Sequence, residues 1–140
     1  GKNVAIMAEI DPGVDPANSA ILDSNAKFVS SLNTSNGPIR VSRIPMPPKW
    51  GNHWRSYTNV ILANGVLLMP SFSDVDPAIE SKAEDVYRSS LPKGWVVKRI
   101  NCDKLVSLNG QLHCISYNIP SYVPIEGLLS RAVPSVALVE

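Results

Sequence analysis

The peptide Val14-Asp15-Pro16-Ala17 recurs further along the chain as Val75-Asp76-Pro77-Ala78. In each copy Asp is a good helix N-cap, and Pro fits the first helical position, where its missing N–H costs nothing. An apolar strand precedes each copy. The first is Val4 to Ile10, closed by the turn peptide Asp11-Pro12-Gly13, and the second ends at Met69, before Ser71-Phe72-Ser73-Asp74. Behind the first cap, Ala17, Ile21, Phe28 and Leu32 recur at helical spacing and predict a buried stripe, interrupted by Asn25 and stopped at Asn36-Gly37-Pro38. Behind the second, Ile79, Ala83, Val86 and Tyr87 form the stripe, which ends near Leu91-Pro92-Lys93-Gly94. A strand is predicted after each helix: Ile39 to Ile44, with an extended exit through Pro45-Met46-Pro47-Pro48, and Trp95 to Ile100. The unit strand, turn, Asp-Pro-capped helix, strand therefore occurs twice, the mark of an internal duplication. Such a unit covers one sheet face with its helix and needs neighbours to complete a core.

Between the units, Asn64-Gly65 separates Tyr57 to Ala63 from Val66 to Met69. That pair favours a type I′ turn, which predicts a hairpin of two mostly buried strands. A second Asn-Gly, Asn109-Gly110, predicts a last strand over Gln111 to Tyr117 that carries Cys114. At 140 residues and 44% hydrophobic content the chain can build one core. Thirteen basic and twelve acidic residues are scattered along it, so neither a nucleic-acid face nor an acidic tail is indicated. No apolar run reaches the roughly 20 residues that cross a bilayer, so no membrane role is expected and the chain reads as cytoplasmic. It opens on Gly1, so a targeting segment could have been lost upstream. Two cysteines could form one disulfide in an oxidising compartment, but they do not make a disulfide scaffold. No metal and no organic cofactor is expected, since paired His and Cys at ligand spacing are absent.

The order Ser56-Tyr57-Thr58-Asn59, Asn64-Gly65, a strand ending at Pro70, the Asp76-Pro77 helix, the strand at Trp95 and finally Leu108-Asn109-Gly110-Gln111-Leu112-His113-Cys114 resembles the C-terminal part of bacterial peptidylarginine and agmatine deiminases. The resemblance covers most of the chain to about Pro120 and is sharpest at Leu112-His113-Cys114. It implies an α/β fold, a partial αβ-propeller: about two ββαβ-type modules of a pseudo-fivefold ring, with mixed sheets and packing helices. Residues 1–120 would be the two modules, and 121–140 a tail of unknown role. The resemblance also implies catalytic roles for Cys114, the nucleophile, and Asn59. The implied reaction is hydrolysis of a guanidinium, in agmatine or peptidyl-arginine, to a ureido product and ammonia. A resonance-shielded carbon needs a strong nucleophile, and a thiolate attacks it to give a covalent thiouronium that water resolves.

The chain departs from the family in two ways. The approach to Cys114, Ser107-Leu108-Asn109-Gly110, is less Gly-rich than in agmatine deiminases. The family's His-x-Asp and guanidinium-binding acids belong to N-terminal modules, and no His-x-Asp occurs here. The isolated chain is therefore expected to lack deiminase activity.

Each candidate also has a plainer reading. Cys114 alone would be a buried structural thiol and Asn59 an ordinary strand residue. Cys102 reads as structural. His53, in Trp50-Gly51-Asn52-His53-Trp54, reads as a solvated loop histidine, and His113, next to Cys114 on a strand, should face away from it. Asp15 and Asp76 are explained by capping, Asp74 by a turn, and Trp50, Trp54 and Trp95 by packing. Against the hydrolase stand a non-catalytic propeller fragment that binds a partner, self-associates or joins missing N-terminal modules, and a cysteine protease using Cys114 and His53, whose local sequence lacks a protease-like context.

Overall fold

The computed structural model describes residues 3–125 and Gly127. The tail beyond them, including most of residues 121–140 and the Pro134 region, lies outside the described residues. Strand β1, Val4–Glu9, leads to helix α1, Pro16–Ser30. The Asp15 carboxylate accepts from the Asn18 backbone N–H and the Asn18 side chain, which holds it below the usual carboxylate range. Two short strands follow, β2 at Asn33–Thr34 and β3 at Gly37–Pro38, before β4, Arg40–Pro45, returns parallel to β1. The second copy is β5, Ile61–Ala63; β6, Val66–Ser71; α2, Pro77–Ser90; and β7, Val96–Asn101. Here β6 and β7 are parallel neighbours, as β1 and β4 are, and β5 adds an antiparallel third strand.

The duplicated strand–helix–strand unit is thus present in three dimensions. Asp76 caps α2 by accepting from the Ala78 N–H. Helix α1 lies on β1 and β4, while α2 lies on both β7 and β4, so the second unit's helix joins the two units. Among the described residues the sheets have two, two and three strands and none closes on itself.

The core belongs mainly to the second unit and its flanks: Tyr57, Leu67, Met69, Ala83, Tyr87, Val97 and Cys102, with Ile44 contributed by the first. Ala83 and Tyr87 of the predicted α2 stripe are buried, and Ile79 and Val86 pack against them. The α1 stripe differs from expectation. Ile21 is 57% and Phe28 65% exposed, Ala17 and Leu32 are also exposed, and the buried residues of the helix are Ser19 and Ala26. The predicted stripe is therefore on the outer side of the helix, and the face turned to the sheet carries buried Ser19 and Ala26 with half-buried Leu22 and Val29.

The Asn64-Gly65 hairpin forms as expected, with both residues at positive φ (52° and 79°), as a type I′ turn needs. Its first strand is shorter than predicted and more exposed, with Leu62 and Ala63 open to solvent. The predicted strand over Gln111 to Tyr117 is absent. Asn109 takes a positive φ of 56° but Gly110 does not, so no I′ turn forms. Helix α3, Asp103–Val106, precedes this turn, and His113–Ile115 form a single 3₁₀ turn.

Candidate active site

The Ser56–Asn59 segment sits between the two units and is pinned from below. The buried Arg55 guanidinium donates to Pro48 O and pairs with Asp74, and it also lies over the Phe72 ring. Tyr57 is fully buried, and the Tyr87 hydroxyl donates to its carbonyl at 2.7 Å. Its own hydroxyl reaches Glu80, which also accepts from the Phe72 N–H. At the surface, Ser56 makes a turn: its hydroxyl accepts from the Thr58 N–H and its carbonyl from the Asn59 N–H. Tyr57 therefore points into the core while Asn59 reaches out of it.

The partner segment is pinned by Leu112, which is 5% exposed and belongs to the core cluster. On either side of it stand Gln111, buried, and the 3₁₀ turn. Asn59 spans the two segments. Its Oδ1 accepts from the His113 backbone N–H at 2.7 Å, and its Nδ2 donates to Cys114 Sγ at 3.2 Å. A donor aimed at sulfur favours the thiolate. The Asn59 hydrogen bond, with backbone N–H groups of Gln111 and Cys114, holds the Cys114 thiol below its ordinary pKa.

The two cysteines are opposites. Both are free thiols rather than a disulfide. Cys102 is fully buried, and burial pushes its thiol up, so it is packed and inert, as expected. Cys114 is exposed, which overturns its plain reading as a buried thiol.

Sequence reasoning placed Asn59 and Cys114 in one group, and the fold brings them into contact. It did not find Gln111, whose side chain bridges to Ser56 and Trp54, or the Arg55–Asp74 pair. No local signal marks these, since the Gln111 partners lie far away along the chain. His53 is not a free loop histidine: its Nδ1 lies 2.7 Å from Asn109 Oδ1 and its ring stacks on Trp50. His113 reaches the site through its backbone; its residue is exposed, and the strand alternation from which its direction was argued does not exist. Asp74 and Asp103 line a small cavity of about 170 Å³ with Trp50, Arg55 and Ser73. Hydrogen bonds from the Ser73 hydroxyl and Asn101 hold Asp103 below the usual carboxylate range. Among the described residues, no three His, Cys, Asp or Glu side chains converge to hold a metal, and no helix is long and apolar enough to cross a membrane.

A family profile described as Porphyromonas-type peptidyl-arginine deiminase matches residues 2–120. The chain belongs to this family. Solved structures agree on the fold of the Porphyromonas-type deiminases. A candidate arginine deiminase from Porphyromonas gingivalis superposes with a TM-score of 0.67 at 22% identity, over 85% of this chain and 35% of that one. A candidate peptidyl-arginine deiminase gives 0.70 at 18%, over 81% and 34%. The substrate-bound agmatine deiminase of C. jejuni gives 0.54 at 20%, over 80% and 32%. At such identities the likeness is one of fold. The chain spans about a third of the length of these structures. A comparison with proteins of curated function returns no match.

Proposed function

We propose that this chain is the nucleophile-bearing C-terminal portion of a cysteine-dependent deiminase that hydrolyses a guanidinium, in agmatine or peptidyl-arginine, to a ureido product and ammonia. The observation that carries this reading is the hydrogen bond from Asn59 Nδ2 to the exposed Cys114 Sγ. The Cys114 thiolate attacks the guanidinium carbon, forming a C–S bond. The C–N bond then breaks, its electron pair taking a proton as ammonia leaves, and water attacks the resulting thiouronium to release the ureido product and the thiolate. Asn59 holds the sulfur in place and favours its anionic form. The general acid and base, and the carboxylates that pair with the guanidinium, come from outside these 140 residues, with the two units acting as adjacent modules of a propeller around the substrate.

In a protein that contains this chain and the remaining modules, a haloacetamidine probe labels Cys114, agmatine or a peptidyl-arginine protects it, and Cys114→Ser abolishes ureido product formation. Labelling that neither substrate blocks would sink the reading.

A second reading is favoured by α1, whose Ile21 and Phe28, two turns apart, are exposed. On this reading the chain is a non-catalytic module that associates through that face.

A further inference from the structure

The turn segment that carries Asn59, ahead of β5, and the segment ending in the 3₁₀ turn that carries Cys114 run side by side without pairing as a sheet. Three side-chain rungs join them in register: His53 Nδ1 to Asn109 Oδ1 at 2.7 Å, Gln111 to the 54–56 segment, and Asn59 to His113 N and Cys114 Sγ. A slip of one residue would carry Asn59 past the sulfur. The middle rung is the most shielded from water. Gln111 is 6% exposed; its Oε1 accepts from the Ser56 N–H at 3.1 Å, and its Nε2 donates to Trp54 O at 3.5 Å. A buried hydrogen bond is stronger than one in water, and its loss strands a buried donor.

We propose that Gln111 is a positioning residue for the Cys114 thiol: its side-chain amide, locked onto Trp54 and Ser56, sets the register that brings the sulfur to Asn59. Resting on the reading of Cys114 as nucleophile, the assignment goes beyond it to a residue that touches no substrate.

The test is the pH profile of Cys114 alkylation by iodoacetamide in the 140-residue chain, followed on the Cys114 peptide by mass. Gln111→Met keeps the shape of the side chain and removes both hydrogen bonds. Its profile moves to higher pH, with alkylation several-fold slower at neutral pH. Adding Asn59→Ala to it then produces no further shift, although Asn59→Ala alone shifts the parent. A Gln111→Met profile identical to the parent, or an Asn59→Ala shift as large in that background as in the parent, overturns the proposal. Should Gln111→Met fail to fold, hydrogen exchange at the Ser56 amide of Asn59→Ala decides: protection retained is expected, and protection lost means that Asn59 sets the register instead. Turnover does not enter these readouts. Failure of the catalytic reading would appear in substrate protection and in Cys114→Ser activity, while the alkylation profiles stood.

Discussion

Asn59 carries its amide in the one orientation its neighbours allow. The His113 N–H can only donate, so the oxygen faces it, and the NH₂ is left for the sulfur. A group whose pKa is depressed keeps its charged form to lower pH, so Cys114 reacts as thiolate at lower pH than an ordinary cysteine. Asn59→Ala removes the donor, and the midpoint of alkylation moves to higher pH. The remaining thiolate is somewhat more nucleophilic, but this gain only partly offsets the smaller thiolate fraction, so the rate at neutral pH falls several-fold. Asn59→Asp is the sharper variant. It keeps an acceptor for the His113 N–H and sets a negative charge beside the sulfur, so its midpoint lies above that of Asn59→Ala. Superimposable profiles for all three proteins would show that the contact does not act on the thiol.

At the scale of elements, the two Asn-Gly pairs show what local sequence can and cannot decide. Asn64 and Gly65 are both left-handed, and the hairpin they predict exists; Asn109 is left-handed, Gly110 is not, and the strand predicted after it is a 3₁₀ turn. The same dipeptide takes two conformations because β6 gives the chain after Gly65 a central place in a sheet, whereas the chain after Gly110 is held by the burial of Leu112 and the Gln111 side chain. Gly65→Ala therefore costs about 1–2 kcal/mol by forcing Cβ into the left-handed region. Gly110→Ala costs markedly less, since its φ is ordinary and the added Cβ meets Cys114 Cβ at 3.5 Å, an ordinary contact. Urea unfolding of the pair checks the difference, and equal losses would refute the turn assignment. The Asp-Pro caps were legible because a cap acts within three residues; Asp76→Ala lowers stability by about 1 kcal/mol, read as a fall in Tm of roughly 4 °C. The buried face of α1 was not legible: Ala17, Ile21 and Phe28 recur at helical spacing but are exposed, since periodicity does not say what lies opposite. Asn59 and Cys114 were legible through family likeness alone. Gln111 was not, because its partners are set by the packing of distant segments.

At the scale of the whole molecule, large apolar side chains stand open to solvent among the described residues. Ile21 and Phe28 are 57% and 65% exposed and lie two turns apart on α1. Residues at that spacing share a helix face, so these two form one stripe rather than scattered side chains, and exposed apolar stripes mark contact surfaces. In solution such a stripe finds another protein surface, and for the isolated 140-residue chain the surface at hand is a second copy. Sedimentation velocity over a concentration series should show association that grows with concentration. The double variant Ile21→Glu, Phe28→Glu should stay monomeric over the same range. Both residues are already open to water, so their replacement removes little buried area, and the melting temperature of the monomer should fall only slightly. A parent chain that remains monomeric throughout, or a variant that associates as the parent does, would remove α1 as the contact face. The α1 stripe lies apart from the Asn59–Cys114 contact in the chain, so the variant should keep the parent's Cys114 alkylation profile; a shifted profile would mean that association, and not the Asn59 contact alone, tunes the thiol.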